Sequence, residues 1–412
     1  MVRKIGKTEL NKFQIGHHYR KALCESVLTV TVNPAELVNH PKKDRIAIST
    51  DADLASEHDS RTPERLPMTL YTEIFEQPTI LRNLLANQRD TIARIAFEIR
   101  KRNATFVFLA ARGTSDNAGR YANYLWGAYN GIPVALATPS LFTFYQKPPR
   151  LNNALVLGVS QSGKSPDIVS VLKEGRKQGC LTLAITNEPK SPLANESDFV
   201  IDIQAGAEKA VAATKTYTAE LLTMAMLSTA LDKDKERKNE LLKVPDWAEK
   251  ILSLSEHIKA IAQRYLFMER CVVLGRGFNY STAFEWSLKL KELTYVVAEP
   301  YSSADFQHGP IAMVERGFPV MAVAPGGAVF DSLNSMLIEL KKEHRAELLV
   351  ISDQQSVLEL AQSSIELPTG IPEWLSPIIT IISAQLFCYH LTQAKGYDTE
   401  APRSIHKVTE TQ

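Results

Sequence analysis

Cysteine is scarce: four in 412 residues, Cys24, Cys180, Cys271 and Cys388. They make no CxxC pair and lie too far apart in sequence to staple a small disulfide-rich fold, which fits a reducing compartment and thiols serving as core residues. Neither sign of charge is in excess, with 47 Lys and Arg against 46 Asp and Glu. That balance provides no overall field to collect nucleic acid or an anionic membrane, so neither is expected as a partner and ligands must be recognised locally. No apolar run approaches the ~20 residues of a membrane span, and the opening MVRKIGKTELNKF lacks the apolar centre of a signal peptide. A cytoplasmic protein is expected. His, Cys and Asp do not gather at metal-ligand spacing, so no metal and no other cofactor is called for.

What is present is an ordinary globular balance, 44% hydrophobic and 23% charged residues, in a chain long enough for two or three domains. Residues 1–67 stand apart. Their stretch HPKKDRIAISTDADLASEHDSRTPERLP is polar, carries turn formers throughout and has no sustained period. An N-terminal extension of poor order is expected there, with His17, His18, His40 and His58 as solvated side chains; a second reading starts the functional chain at Met68. From Met68 onward apolar residues fall at helical spacing through IFEQPTILRNLLANQRDTIARIAFEIRK, and the buried-strand run TFVFLAA follows.

That strand, turn and helix return later in the chain. TFVFLAARGTSDNAGRYANYLW matches RCVVLGRGFNYSTAFEWSLKLKEL, placing Arg112-Gly113 over Arg276-Gly277 at an offset of 276 − 112 = 164. VLGVSQSGKS lies over VMAVAPGGAV at the same offset, 320 − 156 = 164, and LAITN at 183–187 answers LVISD at 349–353 with a slip of two. Two copies of one module are implied. Each alternates β-branched runs with amphipathic helices such as PDIVSVLKEGRKQG and FDSLNSMLIELKKEH, the pattern of an α/β fold with parallel strands and helices on both faces. The expected division is 68–235, a helical linker over 236–264 whose charge run is a solvated face, and 265–412.

Gly158 to Ser165, GVSQSGKS, satisfies the Walker A template of a nucleotide-binding loop. The context argues against it. Val159 continues the apolar strand past Gly158, leaving only SQSGKS as the loop, too tight to wrap a triphosphate, and LAITN ends in Asn rather than an acid; FVID, ending at Asp202, imitates the acidic strand of that motif. A phosphate monoester fits better. Ser160, Gln161, Ser162 and Ser165, with backbone N–H groups, would surround it at the start of a helix opened by Pro166. The second copy has Ala324-Pro325-Gly326-Gly327 there, without hydroxyls, so one copy binds and the other supports or catalyses. Thr114 and Ser115, at the preceding turn, either reach the same ligand or cap a helix.

The second copy also carries WSLKLKELTYVVAEPYSSADFQHGP. On a helix Lys289 and Glu292 share a face, as a surface ion pair or as part of a site, while Leu288, Leu290 and Leu293 pack. His308 ends the irregular stretch EPYSSADFQ, where turn formers would hold an imidazole at a cleft.

Together VLGVSQSGKSPD, EKAVAATKTYTAEL, SLKLKELTYVVAEPYSSADFQHGP and APRSIHKVTETQ resemble the double SIS (sugar isomerase) domain, the isomerase half of glucosamine-6-phosphate synthase. The resemblance implies two tandem flavodoxin-like domains over about Met68 to Gln412. It implies a phosphate site at Ser160, Gln161, Ser162 and Ser165 with Thr114 and Ser115. Glu292 would be the base moving a proton between C1 and C2, Lys289 would stand beside the developing enolate, and Lys407 would match the tail lysine that covers the sugar. His308 would open the ring, reaching in from the neighbouring subunit of a homodimer. Three departures redirect the function. The chain opens Met-Val-Arg without a glutaminase domain, so glutamine is not expected as a substrate; Ala213 replaces a Ser usual in the synthases, and Lys164 an acid. The SSADFQHGP segment and the KVTETQ ending look more like SIS-type glucosamine-6-phosphate deaminases. The expected reaction is therefore glucosamine 6-phosphate to fructose 6-phosphate and ammonia. Action on galactosamine 6-phosphate or fructosamine 6-phosphate, or a non-catalytic sugar-phosphate sensor, are the alternatives.

Overall fold

The computed structural model describes residues 69–405 and Lys407. The expectations for 1–67, the reading of Met68 as a start, and the tail beyond Lys407 lie outside the described residues. Ten strands form two sheets: β1 (Phe106–Ala110), β2 (Val134–Leu136), β3 (Ala154–Val159), β4 (Leu181–Thr186) and β5 (Phe199–Asp202) in one, and β6 (Arg270–Gly275), β7 (Val297–Ser302), β8 (Pro319–Val323), β9 (Glu347–Ser352) and β10 (Ser363–Glu366) in the other. The orders are β2-β1-β3-β4-β5 and, read from its far edge, β7-β6-β8-β9-β10. Every pairing is parallel. The two sheets share one topology, as expected for the two tandem SIS domains that the resemblance implies. The duplication is visible in the bounds, since β6 begins 270 − 106 = 164 residues after β1 and β9 begins 347 − 181 = 166 after β4.

Strands such as ALVLGV and LTLAIT are buried along their whole length, as parallel strands covered by helices on both faces must be. Gly158 belongs to this packing. A Cβ there would stand 2.7 Å from Leu172 Cδ1 and 2.8 Å from Leu193 Cδ1, so the first glycine of the apparent Walker motif lets a helix approach its strand. In the order 2-1-3-4-5 the chain turns to opposite sides after β1 and after β3, opening a crevice at their carboxyl ends. The turn Arg112-Gly113 leads from β1 into the helix Gly113–Asn130, and 160–165 leads from β3 into Pro166–Lys177.

Three features differ from expectation. The helix Ser376–Ala394 is long and apolar enough by composition to pass for a membrane span, yet it is buried inside the protein. It packs on the helices Thr69–Asn87, Val244–Leu252, Ser255–Arg264 and Tyr280–Lys289, and Ser, Thr and Gln among its apolar residues had hidden the run. The 236–264 segment is not simply a solvated face. Arg237 is buried there, paired with Asp232 at 2.6 Å and Asp234 at 3.1 Å and lying over the Tyr129 ring. EPYSSADFQ is not irregular either, being divided between β7 and the short helix Ser303–Gln307.

Gly163 holds the serine turn in shape with φ +59°, and a Cβ on it would collide with the Ser191 side chain. Gly163→Ala should therefore lower unfolding stability by about 1–3 kcal/mol through strain and overpacking. Chemical denaturation checks this, and an unchanged midpoint would contradict the packing described.

Candidate functional site

Lys289, the last residue of the helix Tyr280–Lys289, is buried with its Nζ 3.2 Å from Glu285 Oε1 and 2.7 Å from Glu292 Oε2. Beyond it the helix widens into a π turn over Leu290–Thr294. Such insertions recur at functional sites because one extra residue re-aims the side chains around it. Leu290 and Leu293 are buried as expected, and Leu288 only partly. Glu292 keeps a quarter of its side chain open to solvent, whereas Glu285 has none exposed.

The first module reaches this cluster from its β1 turn. Thr114 Oγ1 donates to Glu285 Oε1 at 3.1 Å and accepts from Lys289 Nζ at 3.1 Å. Asn117 Nδ2 donates to Glu285 Oε2 at 2.8 Å. Ser115 Oγ donates to Glu220 Oε1 at 2.8 Å, a residue of the buried helix Lys215–Asp232. Thr114 and Ser115 are thus not helix caps; their hydroxyls are committed to carboxylates. Burial pulls the Lys289 ammonium down, but Glu285 and Glu292 beside it outweigh this and hold it above the ordinary lysine range. Burial pushes the Glu285 carboxyl up against the opposing pull of Lys289.

One strand away lies the serine turn, since Ala110 of β1 is in register with Gly158 of β3. Ser160 is buried and its Oγ accepts from Gly163 N at 3.1 Å; Ser162 Oγ has a 3.4 Å approach from Lys164 N. The Gln161 carbonyl accepts from Asn187 N at 3.1 Å. Ser165 is the N-cap of the helix opened by Pro166, with no side-chain cap bond. Arg112 Nε pairs with the fully buried Asp167 Oδ2 at 2.7 Å, tying the β1 turn to this helix start. The site therefore offers a row of hydroxyls and helix N–H groups suited to an anion, and a carboxylate–ammonium pair suited to proton transfer beside an oxyanion.

Lys407 is drawn to the first module, where its Nζ lies 2.7 Å from Glu208 Oε2. Glu208 also accepts from Thr214 N at 2.9 Å and Thr216 Oγ1 at 2.9 Å. His308 is exposed after the helix Ser303–Gln307, and among the described residues its ring has no hydrogen-bond partner. Within one chain, then, Thr114, Lys289 and Glu292 are joined directly, Ser115 and the serine turn flank them, and His308 is not joined to them. Glu285, Glu220, Asn117 and the Arg112–Asp167 pair were missed in the sequence. Glu285 had a signal, because EWSLKLKE puts it at i, i+4 from Lys289 on the same face.

The SIS domain family model matches residues 99–230 and 268–394, more than half of the chain. The chain belongs to the SIS-domain family. It is 33% identical over 337 residues to the glutamine--fructose-6-phosphate aminotransferase [isomerizing] of Aquifex aeolicus, covering 81% of this chain and 56% of that protein. It thus spans a little over half the length of such relatives. The C-terminal domain of glucosamine-fructose-6-phosphate aminotransferase from Francisella tularensis superposes with a TM-score of 0.74 at 28% identity, over 83% of this chain and 100% of that one. A glucosamine-6-phosphate deaminase from Thermotoga maritima shares the fold, with a TM-score of 0.65 at 20% identity over 83% of this chain and 100% of that one.

Glu220 provides a test of the buried carboxylates. Burial pushes it from the ordinary 4.5 up to about 8, with the Ser115 hydroxyl opposing and Glu208 and Glu285 adding to the rise. Between those values the folded chain holds a proton that the unfolded chain has released, so this contribution to stability is full below 4.5 and is lost as pH rises through about 8. Glu220→Gln, neutral throughout and still able to accept from Ser115, should flatten the fall of Tm across that window. Parallel Tm profiles for the two proteins would rule the assignment out.

Proposed function

We propose that the protein is a sugar-phosphate isomerase acting as a deaminase, converting glucosamine 6-phosphate and water to fructose 6-phosphate and ammonia without glutamine. The observation that carries this reading is the pairing of buried Lys289 with the partly exposed Glu292, one strand from a hydroxyl-lined helix start. In the proposal the phosphate is held by Ser160, Gln161, Ser162 and Ser165, while Thr114 and Ser115, whose hydroxyls are given to Glu285 and Glu220, shape the adjoining turn. Ring opening comes first, with His308 protonating the ring oxygen. Because His308 is exposed within its own chain, the proposal has it supplied by the other subunit of a homodimer.

Glu292 then removes the C2 proton, and electron density moves toward O1, where Lys289 balances the developing negative charge. Returning the proton to C1, while O1 takes up the proton that the nitrogen gives up, leaves a ketose imine at C2. Water adds to that carbon, the C–N bond breaks, and ammonia departs. Lys407, held near the site by Glu208, covers the bound sugar. Buried, unpaired thiols at Cys180, Cys271 and Cys388 support a cytoplasmic setting.

Ammonia release should be measured over a panel of hexosamine 6-phosphates, including the galactosamine and fructosamine compounds, with and without glutamine. Glucosamine 6-phosphate should release ammonia in the absence of glutamine, and silence across the panel would overturn the reading. Glu292→Gln should cost at least ~10²-fold in turnover, the size of one general acid–base contribution, while sugar-phosphate affinity is kept. Ser160 and Ser162 replaced together by Ala should raise KM about tenfold or more, as expected for lost hydrogen bonds to a charged group; an unchanged KM would remove the phosphate assignment.

A further inference from the structure

The second module repeats the phosphate-side turn in backbone but not in side chains. At the offset of 164, Gly326, Gly327 and Ala328 stand where the first module has Ser162, Gly163 and Lys164, and Gly277 stands where it has Gly113. The entry from the first strand of each module is preserved. Arg112 and Arg276 are both extended, and Gly113 and Gly277 have φ of +54° and +60°.

The difference lies in what the N–H groups meet. In the first module the Lys164 N–H has only the 3.4 Å approach to Ser162 Oγ. In the second, Ala328 N–H donates to Glu373 Oε2 at 2.8 Å, and Gly326 N–H donates to Asp353 Oδ1 at 2.7 Å. Glu373 comes from the far end of its module, opening the short helical turn Glu373–Leu375. Gly327 makes room for it, and Gly277 lies alongside in ordinary contact. A Cβ on Gly277 would stand 3.6 Å from Glu373 Oε1, and one on Gly327 would collide with the carboxylate. The carboxylate therefore lies between the two turns of the second switch point, the position a phosphate would take in the first.

One further observation fits an anion there, and a second shows the carboxylate's segment held in place. Arg276 donates to the Ser332 hydroxyl at 2.6 Å and, among the described residues, has no carboxylate within ion-pair distance, whereas its counterpart Arg112 is paired with Asp167. The neighbour of Glu373 is also locked in place: the Trp374 carbonyl accepts from Tyr121 OH at 2.8 Å, and its indole N–H donates to Glu240 at 2.8 Å.

We infer that the second module retains an anion site for phosphate or a phosphate monoester, and that the chain's own Glu373 carboxylate occupies it. The protein then binds one phosphate per chain, at the serine turn, and removing the carboxylate opens a second place of weaker affinity, built from backbone N–H groups and Arg276. The inference rests on the proposed function only in taking the serine turn as the first phosphate site.

Isothermal titration of the full chain with inorganic phosphate tests it. The parent protein should take up one phosphate, Glu373→Ala two, and Glu373→Ala combined with the Ser160 and Ser162 alanines one. Glu373→Ala that binds no more phosphate than its parent overturns the inference, whatever the serine turn does. If the parent binds none and Glu373→Ala binds one, the serine-turn assignment fails while the inference stands. Should the alanine variant not fold, Glu373→Gln keeps an acceptor for Ala328 N–H without the charge. Phosphate should then raise its Tm more than it raises the parent's, against chloride at matched ionic strength, and an equal rise in both overturns the inference.

Discussion

The Lys289 ammonium is the interaction on which the rest of the site depends. A buried cation is tolerable only when opposite charge and hydrogen-bonding partners surround it closely, and here they come from both modules: Glu285 and Glu292 from its own helix, the Thr114 hydroxyl from across the interface. Two carboxylates around one ammonium leave the cluster with room for a proton, and burial raises the Glu285 carboxyl accordingly. Glu292 is the more solvent-open of the two. The same contacts hold the β1 turn of one module against the helix of the other.

The fold explains why those contacts sit beside the serine turn. A parallel sheet in the order 2-1-3-4-5 has one position where successive crossovers part to opposite faces, and both the Thr114 turn and the serine turn leave from it. The Arg112–Asp167 pair spans the two turns and fixes their spacing. Helix Ser376–Ala394, buried from Ser376 to Thr392 among helices of both halves, gives the pair of sheets a common core, so the interface that carries Lys289 is continuous with that core.

Much of this was legible in the sequence, and the failures have physical reasons. Strand cores, the parallel arrangement, the repeat offset and the serine turn all follow from local patterns, because alternation of apolar runs and the positions of Gly and Pro act within a few residues. The Val159 continuation of β3 correctly marked Gly158 as a strand residue. The partners of Thr114 and Ser115 were not legible, since Glu285 and Glu220 lie 171 and 105 residues away and only tertiary packing brings them together. The π turn after Lys289 was equally hidden, because a helix-period pattern of leucines does not reveal one extra residue per turn. Arg237 illustrates the opposite error. A run of charges reads as a solvated face unless one member finds acids and an aromatic ring to cover it.

The two copies diverged in a way the interface itself requires. At the position equivalent to Thr114 the second module has Phe278, which stacks on Tyr129 of the first module with ring centroids 6.1 Å apart. At the position equivalent to Ser115 it has Asn279, whose side chain donates to Ser376 Oγ at 2.7 Å and accepts from Thr380 Oγ1 at 2.9 Å, both on the central helix. The turn that presents hydroxyls to carboxylates in one copy is thus devoted to packing in the other. Phe278 and Asn279, engaged in this way, are not available to a ligand in the second crevice. Its exposed N–H groups still need acceptors, as any helix start does, and Asp353 and Glu373 supply them from within the chain. Divergence at two turn positions therefore accompanies the filling of the crevice beside them, and the asymmetry of the pair is one of packing.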